Sequence, residues 1–340
     1  MIHHAVVPPD PRDILEAVRL LEAGSLVGLP TETVYGLAAD AANDAAVRAI
    51  YAAKGRPADH PVIVHLHRRA DPLRWSAHLP PAARALIEAF WPGPLTLVLP
   101  RRAGVAELCA AGQDTIALRC PDHAVAQAVL EQLHGGQGGL AAPSANRFGR
   151  ISPTRAEHVR AELGEAVAMV LDGGDCAIGI ESTIVDCSGE HPRILRPGGL
   201  SAGDLAQVLG LDPQALQPRE HAAAAPRVPG ALAAHYAPRT ALYLRDAADI
   251  DASWPEQASH VGVLAPRGAP AGTPPEARAR WLALPDTPQG YARGVYAALR
   301  ALDAQGLREI WVQRLPPQRA WDAVRDRLRR AAHGAGPGIA

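Results

Sequence analysis

The sequence predicts an α/β protein in which two domains are joined by a linker. Short apolar segments alternate with segments of helical period along most of the chain, as expected of sheets covered by helices. This alternation stops between residues 211 and 238, where several prolines and an alanine run at 222–225 occur, and it then restarts. The 340 residues are enough for two hydrophobic cores. We therefore expect domains at 1–210 and 239–340, with the linker at 211–238.

The first domain is predicted to mix helices and strands along the chain. Its first helix begins at an Asp10 cap followed by Pro11, and Gly24 ends it. Further helices are expected at about 44–53, 81–90, 123–134 and 154–163. Strands are expected at about 25–30, 61–67, 95–99, 115–119, 140–143, 168–171 and 182–186. Thr154 is predicted to cap the last helix, and the segment 54–56 is expected just past the end of the second.

The second domain is predicted to be a small, open, Rossmann-like α/β sheet. Its apolar segments alternate with two longer segments of helical period, which is typical of this architecture. Strands are expected at 241–244, 261–264, 281–284 and 309–313. Helices are expected at about 288–304 and 319–332.

Composition and charge narrow the functional classes. The net charge of −1 and the pI of about 6.9 provide no general field for nucleic acid, so binding RNA would require a local basic patch. The four cysteines contain no C-x-x-C pair, which indicates reduced thiols rather than a zinc site. The first residues do not resemble a secretory signal, and no apolar stretch approaches a bilayer span. We therefore expect a cytoplasmic protein.

One lysine stands against 33 arginines, and it lies in the segment Lys54-Gly55-Arg56. A compact ammonium and a planar guanidinium bind phosphate oxygens in different ways, so a lysine retained in such a composition suggests a specific role. The pair Lys54 and Arg56 therefore predicts an anion site for a phosphorylated substrate. The alternative is that Lys54 is a chance survivor of an arginine-rich composition.

Other polar residues follow predicted strands. The turn at 31–36 offers hydroxyls and a carboxylate that could bind an amino acid, or it is an ordinary polar turn. Arg119 ends a strand, where its guanidinium could form a fork with a carboxylate or simply lie at the surface. Ser144 and Asn146 offer a hydroxyl and an amide for phosphate or carboxylate oxygens, and Glu181 is a candidate ligand for Mg²⁺. The chain contains neither a P-loop nor a nucleophile elbow.

Taken together, these motifs are far more specific than any one of them. In chain order they are Pro-Thr-Glu-Thr-x-Tyr-Gly-Leu from 30, Lys-Gly-Arg-Pro from 54, His-Pro-x-x-x-His from 60, Pro-Ser-Ala-Asn from 143, Ser-Pro-Thr from 152, Glu-Ser-Thr-Ile-Val-Asp from 181 and Leu-Arg-Pro-Gly from 195. This set resembles the threonylcarbamoyl-AMP synthases, whose catalytic part is a YrdC-like domain. The resemblance covers about 10–210 and extends through Pro229-Gly230 and the segment 235–238, which resembles the linker of the long, two-domain form.

The resemblance implies a fold, a reaction and a set of partners. The first domain would be a YrdC-like twisted mixed sheet with flanking helices. The enzyme would combine L-threonine, bicarbonate and ATP into threonylcarbamoyl-AMP and pyrophosphate, with Mg²⁺ accompanying ATP and no tightly bound organic cofactor. A partner transferase would then move the threonylcarbamoyl group to the adenosine next to the anticodon of certain tRNAs.

The resemblance also assigns residue roles. Threonine would be held by Thr33, His65, Arg119, Ser144 and Ser182. ATP would be held by Lys54, Arg56, His60, Thr115, Asn146, Thr154, Arg196, His235 and Tyr236. The catalytic residues would be Lys54, Arg56, Ser144 and Asn146. His60 stands where the family often has asparagine. Two alternatives remain: an RNA-binding or regulatory YrdC-like protein, and a carbamoyltransferase that forms carbamoyl-adenylate.

Overall fold

The computed structural model describes residues 10–217 and 225–335, so the predicted alanine run at 222–225 falls almost entirely outside the described residues. The helices are α1 Pro11–Glu22, α2 Asp44–Lys54, α3 Pro81–Phe90, α4 Glu107–Ala110, α5 Ala124–Gln132, α6 Ala156–Leu163, α7 Ala202–Leu209, α8 Ala247–Gln257, α9 Pro275–Arg278, α10 Pro288–Asp303 and α11 Asp322–Gly334. The strands are β1 Val27–Leu29, β2 Gly36–Asp40, β3 Val64–Leu66, β4 Leu95–Pro100, β5 Thr115–Arg119, β6 Gly139–Ala141, β7 Met169–Val170, β8 Thr183–Asp186, β9 Arg193–Arg196, β10 Ala241–Arg245, β11 Val261–Ala265, β12 Trp281–Ala283 and β13 Glu309–Gln313.

The described residues form two compact units. The N-terminal unit contains the chain up to Arg147 together with Pro153–Ala177 and Glu181–Ala231. The C-terminal unit contains Phe148–Ser152, Ile178–Ile180 and the chain from Leu232 onward. Two short stretches from within the predicted first domain thus belong to the C-terminal unit, which no sequence pattern indicated. The domain limits predicted at 210 and 238 remain predictions.

The N-terminal unit is built on a mixed sheet of nine strands in the order β7-β1-β2-β6-β3-β5-β4-β8-β9. The sheet contains both parallel pairs, such as β3 with β5, and antiparallel pairs, such as β4 with β5, which confirms the predicted mixed sheet. Four elements of this unit were missed by the sequence patterns: β2, β9, α4 and α7. All five residues of β2 are buried, so its GLAAD sequence lacks the alternation that marks a strand exposed on one face.

The two faces of this sheet differ in their cover. Alternate residues such as Val64, Leu97 and Leu118 point to one face and enter the large core of the unit. Helices α1 and α5 cover the β1, β2 and β6 end of the other face through a second core. The middle of that other face carries a small apolar cluster of three strand residues, Ile63 just before β3, and Val228, with Leu195 packed against it. No helix contributes to this cluster in the described residues, which leaves room for polar side chains.

Strand register places three polar side chains on that thinly covered face. His65 on β3 pairs with Arg119 on β5, and Arg119 pairs with Thr96 on β4. Each of the three lies two positions along its chain segment from a member of the small apolar cluster, which places it on the same face of the sheet. The pairs are Ile63 and His65, Ala117 and Arg119, and Val98 and Thr96. The sheet thus aligns a row of buried polar groups across its centre.

Two local predictions are wrong. Lys54 is the last residue of α2 rather than a residue past its end, because the left-handed cap falls on Gly55 at φ 61°. Thr154 does not cap α6, whose N-cap is Arg155 without a side-chain cap bond. The backbone N–H of Thr154 instead donates to Nδ1 of His158 at 3.2 Å, which fixes the entry to the helix by another route.

The C-terminal unit contains a parallel sheet of four strands in the order β10-β13-β11-β12, which confirms the predicted small α/β sheet. Helices α8 and α9 were missed. The sequence of α8 contains Pro255 and few apolar residues, yet Ile250 and Trp254, one turn apart, are both buried in the core of the unit. Within the described ranges, no helix is long and apolar enough to cross a membrane.

Candidate functional site

The first group of predicted residues, which we call the lysine cluster, comprises Lys54, Ser144 and Asn146. The Lys54 ammonium donates to the backbone carbonyls of Ser144 and Asn146, so the end of α2 is tied directly to the loop that follows β6. Lys54 is buried, and burial, followed by the charge of Arg56, lowers its pKa well below the usual value for lysine. An ammonium has three donors, and these two bonds account for two of them.

The loop at 143–146 runs beside the turn at 31–36. The N–H of Leu37 donates to the carbonyl of Pro143 at 2.7 Å, and the N–H of Ala145 donates to the carbonyl of Tyr35 at 2.8 Å. Inside the turn the hydroxyls of Thr31 and Thr33 lie 2.9 Å apart, and both side chains are buried. The two motifs that follow β1 and β6 are therefore held side by side by backbone hydrogen bonds.

The second group, which we call the arginine cluster, comprises Glu32, His65, Thr96, Arg119, Ser182 and Arg196. At its centre Nη2 of Arg119 lies 2.6 Å from Oε1 of Glu32, and the two residues are 3% and 7% exposed. These atoms are close but are not aligned as a hydrogen bond, and both carboxylate oxygens of Glu32 form no hydrogen bond within the described chain. Among the described residues, the Arg119 side chain forms one hydrogen bond, in which Nε donates to the carbonyl of Gly93 at the long distance of 3.4 Å.

His65 lies beside Arg119 in the arginine cluster. Burial, followed by the charge of Arg119, lowers the pKa of His65 to about 3, so its imidazole is neutral at physiological pH. Its Nδ1 is buried and forms no hydrogen bond among the described residues. A neutral imidazole can donate from one nitrogen and accept at the other, which suits a polar ligand better than a second cation would.

A chain of hydroxyls and a second arginine complete the arginine cluster. The hydroxyl oxygens of Thr96 and Ser182 lie 2.7 Å apart, and both residues are buried. Arg196 donates from Nη2 to the carbonyl of Ser182 at 2.8 Å and from Nη1 to the carbonyl of Pro229 at 2.9 Å. The end of β9 thus holds the residue before β8 and the segment at 229 in place.

The other predicted residues of the N-terminal unit lie outside these two clusters. The Arg56 guanidinium donates to the carbonyl of Pro61 at 2.7 Å, and burial followed by the charge of Arg56 lowers the pKa of His60. Thr115 begins β5 on the same face as Arg119, four residues earlier. Thr154 is buried, and its carbonyl accepts the N–H of Cys176 at 3.1 Å.

The remaining predicted residues are His235, Tyr236 and the candidate metal ligand Glu181. His235 and Tyr236 belong to the C-terminal unit, where both are buried and the Tyr236 ring stacks on Tyr296 at 5.7 Å between centroids. Tyr236 adopts φ 62°, a left-handed conformation that is unusual for tyrosine. Glu181 is buried, and the described residues contain no group of three or more acidic, histidine or cysteine side chains able to hold a metal ion.

Sequence reasoning assigned no individual role to three residues of the site. Glu32 is the carboxylate of the turn at 31–36, which was predicted to bind an amino acid, but its contact with Arg119 was not predicted. Thr96 is the only polar residue of the strand LTLVLP, and a hydroxyl in an otherwise apolar buried strand is a signal that could have been used. Thr31 is one of the hydroxyls of the same turn, and its contact with Thr33 is recognisable only in the folded structure.

Two family models match the chain. The model described as "Telomere recombination", for the Sua5, YciO and YrdC proteins, matches residues 19–198. The model described as "Threonylcarbamoyl-AMP synthase, C-terminal domain" matches residues 200–333. Together they account for nearly all of the described chain.

Similar proteins and structures point the same way. The chain is 35% identical to the threonylcarbamoyl-AMP synthase of Pyrococcus abyssi over 93% of both chains, and 36% identical to that of Bacillus subtilis over 96% of this chain and 94% of the relative. The crystal structure of P. abyssi Sua5 complexed with L-threonine superposes with a TM-score of 0.83 at 33% identity, covering 96% of each chain. A His/Tyr double-alanine variant of the same protein also superposes with a TM-score of 0.83. These likenesses confirm the predicted fold class.

Proposed function

The chain belongs to the family of threonylcarbamoyl-AMP synthases, and we propose that it acts as a nucleotidyltransferase that joins L-threonine, bicarbonate and ATP into threonylcarbamoyl-AMP and pyrophosphate. The observation that carries this proposal is the arginine cluster, where the buried, oppositely charged side chains of Arg119 and Glu32 are close but form incomplete hydrogen bonds. The product would supply a transferase that modifies the adenosine next to the anticodon of tRNA. Four buried cysteines without disulfides are consistent with work in the reducing cytoplasm.

The arginine cluster supplies the groups that bind an amino acid. The Arg119 guanidinium suits the α-carboxylate of threonine, because a planar fork matches a carboxylate and this arginine is held with few bonds of its own. The hydroxyls of Thr33 and Ser182 and the imidazole of His65 would bind the remaining polar groups of the substrate. The L-threonine found in the P. abyssi structure supports this assignment, since that protein covers nearly the whole chain.

The lysine cluster supplies positive charge for the phosphates of ATP. The third donor of the Lys54 ammonium and the guanidinium of Arg56 would neutralise charge on the transferring and leaving phosphates. The amide of Asn146 and the hydroxyl of Ser144 stand in the loop that Lys54 fixes. A preorganised donor set of this kind is what phosphoryl-type transfer requires, because positioning and charge stabilisation do most of the work.

The reaction would run in two steps. Threonine's amine captures bicarbonate to give a carbamate, and a carbamate oxygen then attacks the α-phosphorus of ATP while pyrophosphate leaves. No protein nucleophile is needed for either step. Mg²⁺ would enter with ATP as part of the substrate, as the family resemblance implies, and Glu181 is the acidic side chain proposed to lie near it.

The other nucleotide contacts are proposed from motif resemblance. They are His60, Thr115, Thr154, Arg196, His235 and Tyr236. Each is tested by its alanine variant, which should raise the KM for ATP more than the KM for threonine. If the KM for ATP and the KM for threonine change equally, the residue does not belong to the nucleotide site.

The proposed function is tested with the full-length protein and no RNA. Purified enzyme is incubated with Mg²⁺, ATP and bicarbonate, and pyrophosphate release is followed with and without L-threonine. We expect release to require threonine and bicarbonate, with threonylcarbamoyl-AMP identified by mass spectrometry. Release that needs tRNA, or that proceeds without threonine, would contradict the proposal and favour the RNA-binding or carbamoyl-transfer alternative.

A further inference from the structure

We propose that Glu32 is a catalytic residue that binds the α-ammonium of the amino-acid substrate and takes a proton from it. This inference rests on the proposed function, because it assigns a role within the same reaction. Glu32 lies in the turn after β1 and is the acidic side chain that contacts Arg119. The sequence pointed only to a carboxylate in this turn that could bind an amino acid, without a catalytic role.

Three buried groups in one place form incomplete hydrogen bonds. They are both carboxylate oxygens of Glu32, Nη2 of Arg119 and Nδ1 of His65, in residues that are each at least nine-tenths buried. A buried polar atom without a hydrogen bond is costly, so such atoms gathered together indicate a site built for a polar ligand. A carboxylate beside a guanidinium is complementary to the zwitterion of an amino acid. The carboxylate of the ligand would face Arg119, and its ammonium would face Glu32.

Ligand binding changes the electrostatic balance of this pair. Before binding, the Glu32 carboxylate lies 2.6 Å from the Arg119 guanidinium in poor alignment. When the ligand's carboxylate pairs with Arg119, that arginine is neutralised, and Glu32 faces the ligand's ammonium instead. The carboxylate of Glu32 then contacts the ammonium directly, and it is the acceptor placed to take one of the ammonium's protons.

The proposed step balances. The ammonium gives one proton to Oε of Glu32, leaving a free amine and a carboxylic acid. The amine nitrogen attacks the carbon of bicarbonate, the N–C bond forms, and one C–O bond breaks. The departing hydroxide leaves as water with the amine's second proton, so the carbamate keeps the single negative charge of bicarbonate. The proton on Glu32 returns to solvent after the product leaves.

Other titratable groups surround the carboxylate from several elements, and each bears on its charge. They are Arg119 and Cys120 at the end of β5, His123 before α5, Cys176 in the loop after β7, and His65 beside Arg119. Burial raises the pKa of both thiols and lowers the pKa of both histidines, so these four groups are neutral at physiological pH. Arg119 is thus the one charged partner of Glu32 in this set.

The first test measures recognition of the ammonium. Calorimetry compares L-threonine with its analogue in which a hydroxyl replaces the α-amine, for the wild type and for Glu32→Gln. The wild type should prefer threonine by about 10²-fold or more, because a site built to pair with a polar group rejects a ligand lacking it. Glu32→Gln keeps the size of the side chain but removes its charge, and should reduce that preference at least tenfold.

The matched control is Asp186→Asn. Asp186 is likewise a buried carboxylate beside an arginine, with Nη2 of Arg193 at 2.9 Å, but it lies at the far end of β8 from Ser182. This variant should keep the full preference for threonine over the hydroxyl analogue even if it is less stable. The ratio of the two affinities is measured on folded protein, so a loss of stability does not change it. An equal loss of preference in Asp186→Asn would overturn the inference, because the effect would then be a general one of charge removal.

The second test separates proton transfer from binding. With saturating threonine, Glu32→Gln should turn over about 10²- to 10⁴-fold more slowly than wild type at neutral pH. Its rate should then rise about tenfold per pH unit as the substrate's own amine loses its proton in solution, narrowing the gap. A constant ratio of rates across pH would overturn the role of Glu32 as a base. If the wild type itself shows no threonine-dependent turnover, the proposed function fails rather than this inference.

Discussion

The lysine and arginine clusters hold buried charge in opposite ways. In the lysine cluster the Lys54 ammonium donates to two backbone carbonyls, so the protein itself satisfies most of the cation. In the arginine cluster Arg119 and Glu32 are close but poorly aligned, and several of their polar atoms form no hydrogen bond in the described chain. A charge bonded to the backbone stiffens its surroundings, whereas a charge with incomplete bonds is available to a ligand.

This difference explains how the two clusters would divide the work. The lysine cluster ties the end of α2 to the loop after β6 and offers a single remaining donor to phosphate. The arginine cluster offers a cation, an anion and a neutral imidazole to a zwitterion. Removing a charge should therefore have unlike consequences in the two places, and variants can break or sharpen the contrast.

The largest effect is expected from Arg119→Met. The change removes the ligand's carboxylate partner and leaves Glu32 as a buried carboxylate without a cation. We expect kcat/KM for threonine to fall on the order of 10³-fold and the free energy of unfolding to fall by about 3–5 kcal/mol. Steady-state kinetics and denaturant unfolding measure the two losses.

A double variant sharpens this prediction. Adding Glu32→Gln to Arg119→Met removes the stranded charge, so stability should recover in part while activity stays lost. If stability does not recover, the pair is not the electrostatic unit described above. If Arg119→Met keeps wild-type activity, the threonine site lies elsewhere.

The next largest loss of activity is expected from Lys54→Ala. Removal of one preorganised charge contact should lower the rate by about 10²-fold or more. Lys54→Arg should also be impaired, because a guanidinium differs in bulk and geometry from an ammonium that bonds two carbonyls in a buried site. Arg48→Ala, an exposed residue of the same helix, serves as the control and should keep its activity. Full activity in Lys54→Arg would make the lone lysine an accident of composition.

The sequence predicted elements with strong local signals and missed those defined by packing. Helix α3 and strand β5 have the predicted limits, since each has a clear period and a marked start. Strand β2 and helix α8 were missed, because one is buried throughout without alternation and the other gains its helix from packing of Ile250 and Trp254. Tertiary contacts override weak local preference in both cases.

The motifs pointed to Lys54, Arg119 and Ser144 as candidate site residues. The structure brings Lys54, at the end of α2, into contact with the loop that holds Ser144. The motifs could not indicate that Glu32 faces Arg119, since the two residues are 87 positions apart and meet only through the folding of the sheet. Nor could they indicate that Lys54 uses backbone carbonyls rather than side chains, because backbone partners leave no trace in a sequence.

A smaller, pH-dependent effect should come from His65. Its pKa in the folded protein is about 3, below the value of 6.5 for an unperturbed histidine, because burial favours the neutral ring. The unfolded chain therefore binds more protons between these values, so this stability is present above pH 6.5 and is lost as the pH falls toward 3. In that window His65 should contribute a slope of up to about 1.4 kcal/mol per pH unit.

The comparison that isolates His65 uses His65→Gln. Denaturant unfolding of both proteins at a series of pH values below 7 should give curves that converge as the pH falls, with the wild type losing stability faster. Parallel curves would mean that His65 is protonated without difficulty in the folded state. The arginine cluster would then tolerate a second cation, and the proposed division of roles between the two clusters would be wrong.

The smallest effect is expected from Thr96→Val and Ser182→Ala, which break the hydroxyl contact of 2.7 Å behind Arg119. Both changes remove the hydrogen bond between the two hydroxyls, worth about 0.5–1.5 kcal/mol, but the two residues differ in their second role. The Ser182 hydroxyl is a proposed threonine contact and accepts from Arg196, whereas Thr96 is a support. Ser182→Ala should therefore raise the KM for threonine about tenfold, while Thr96→Val should lower the melting temperature with a smaller change in KM. Equal KM changes would show that the hydroxyls act as one unit, and that Thr96 belongs to the binding surface as much as Ser182 does.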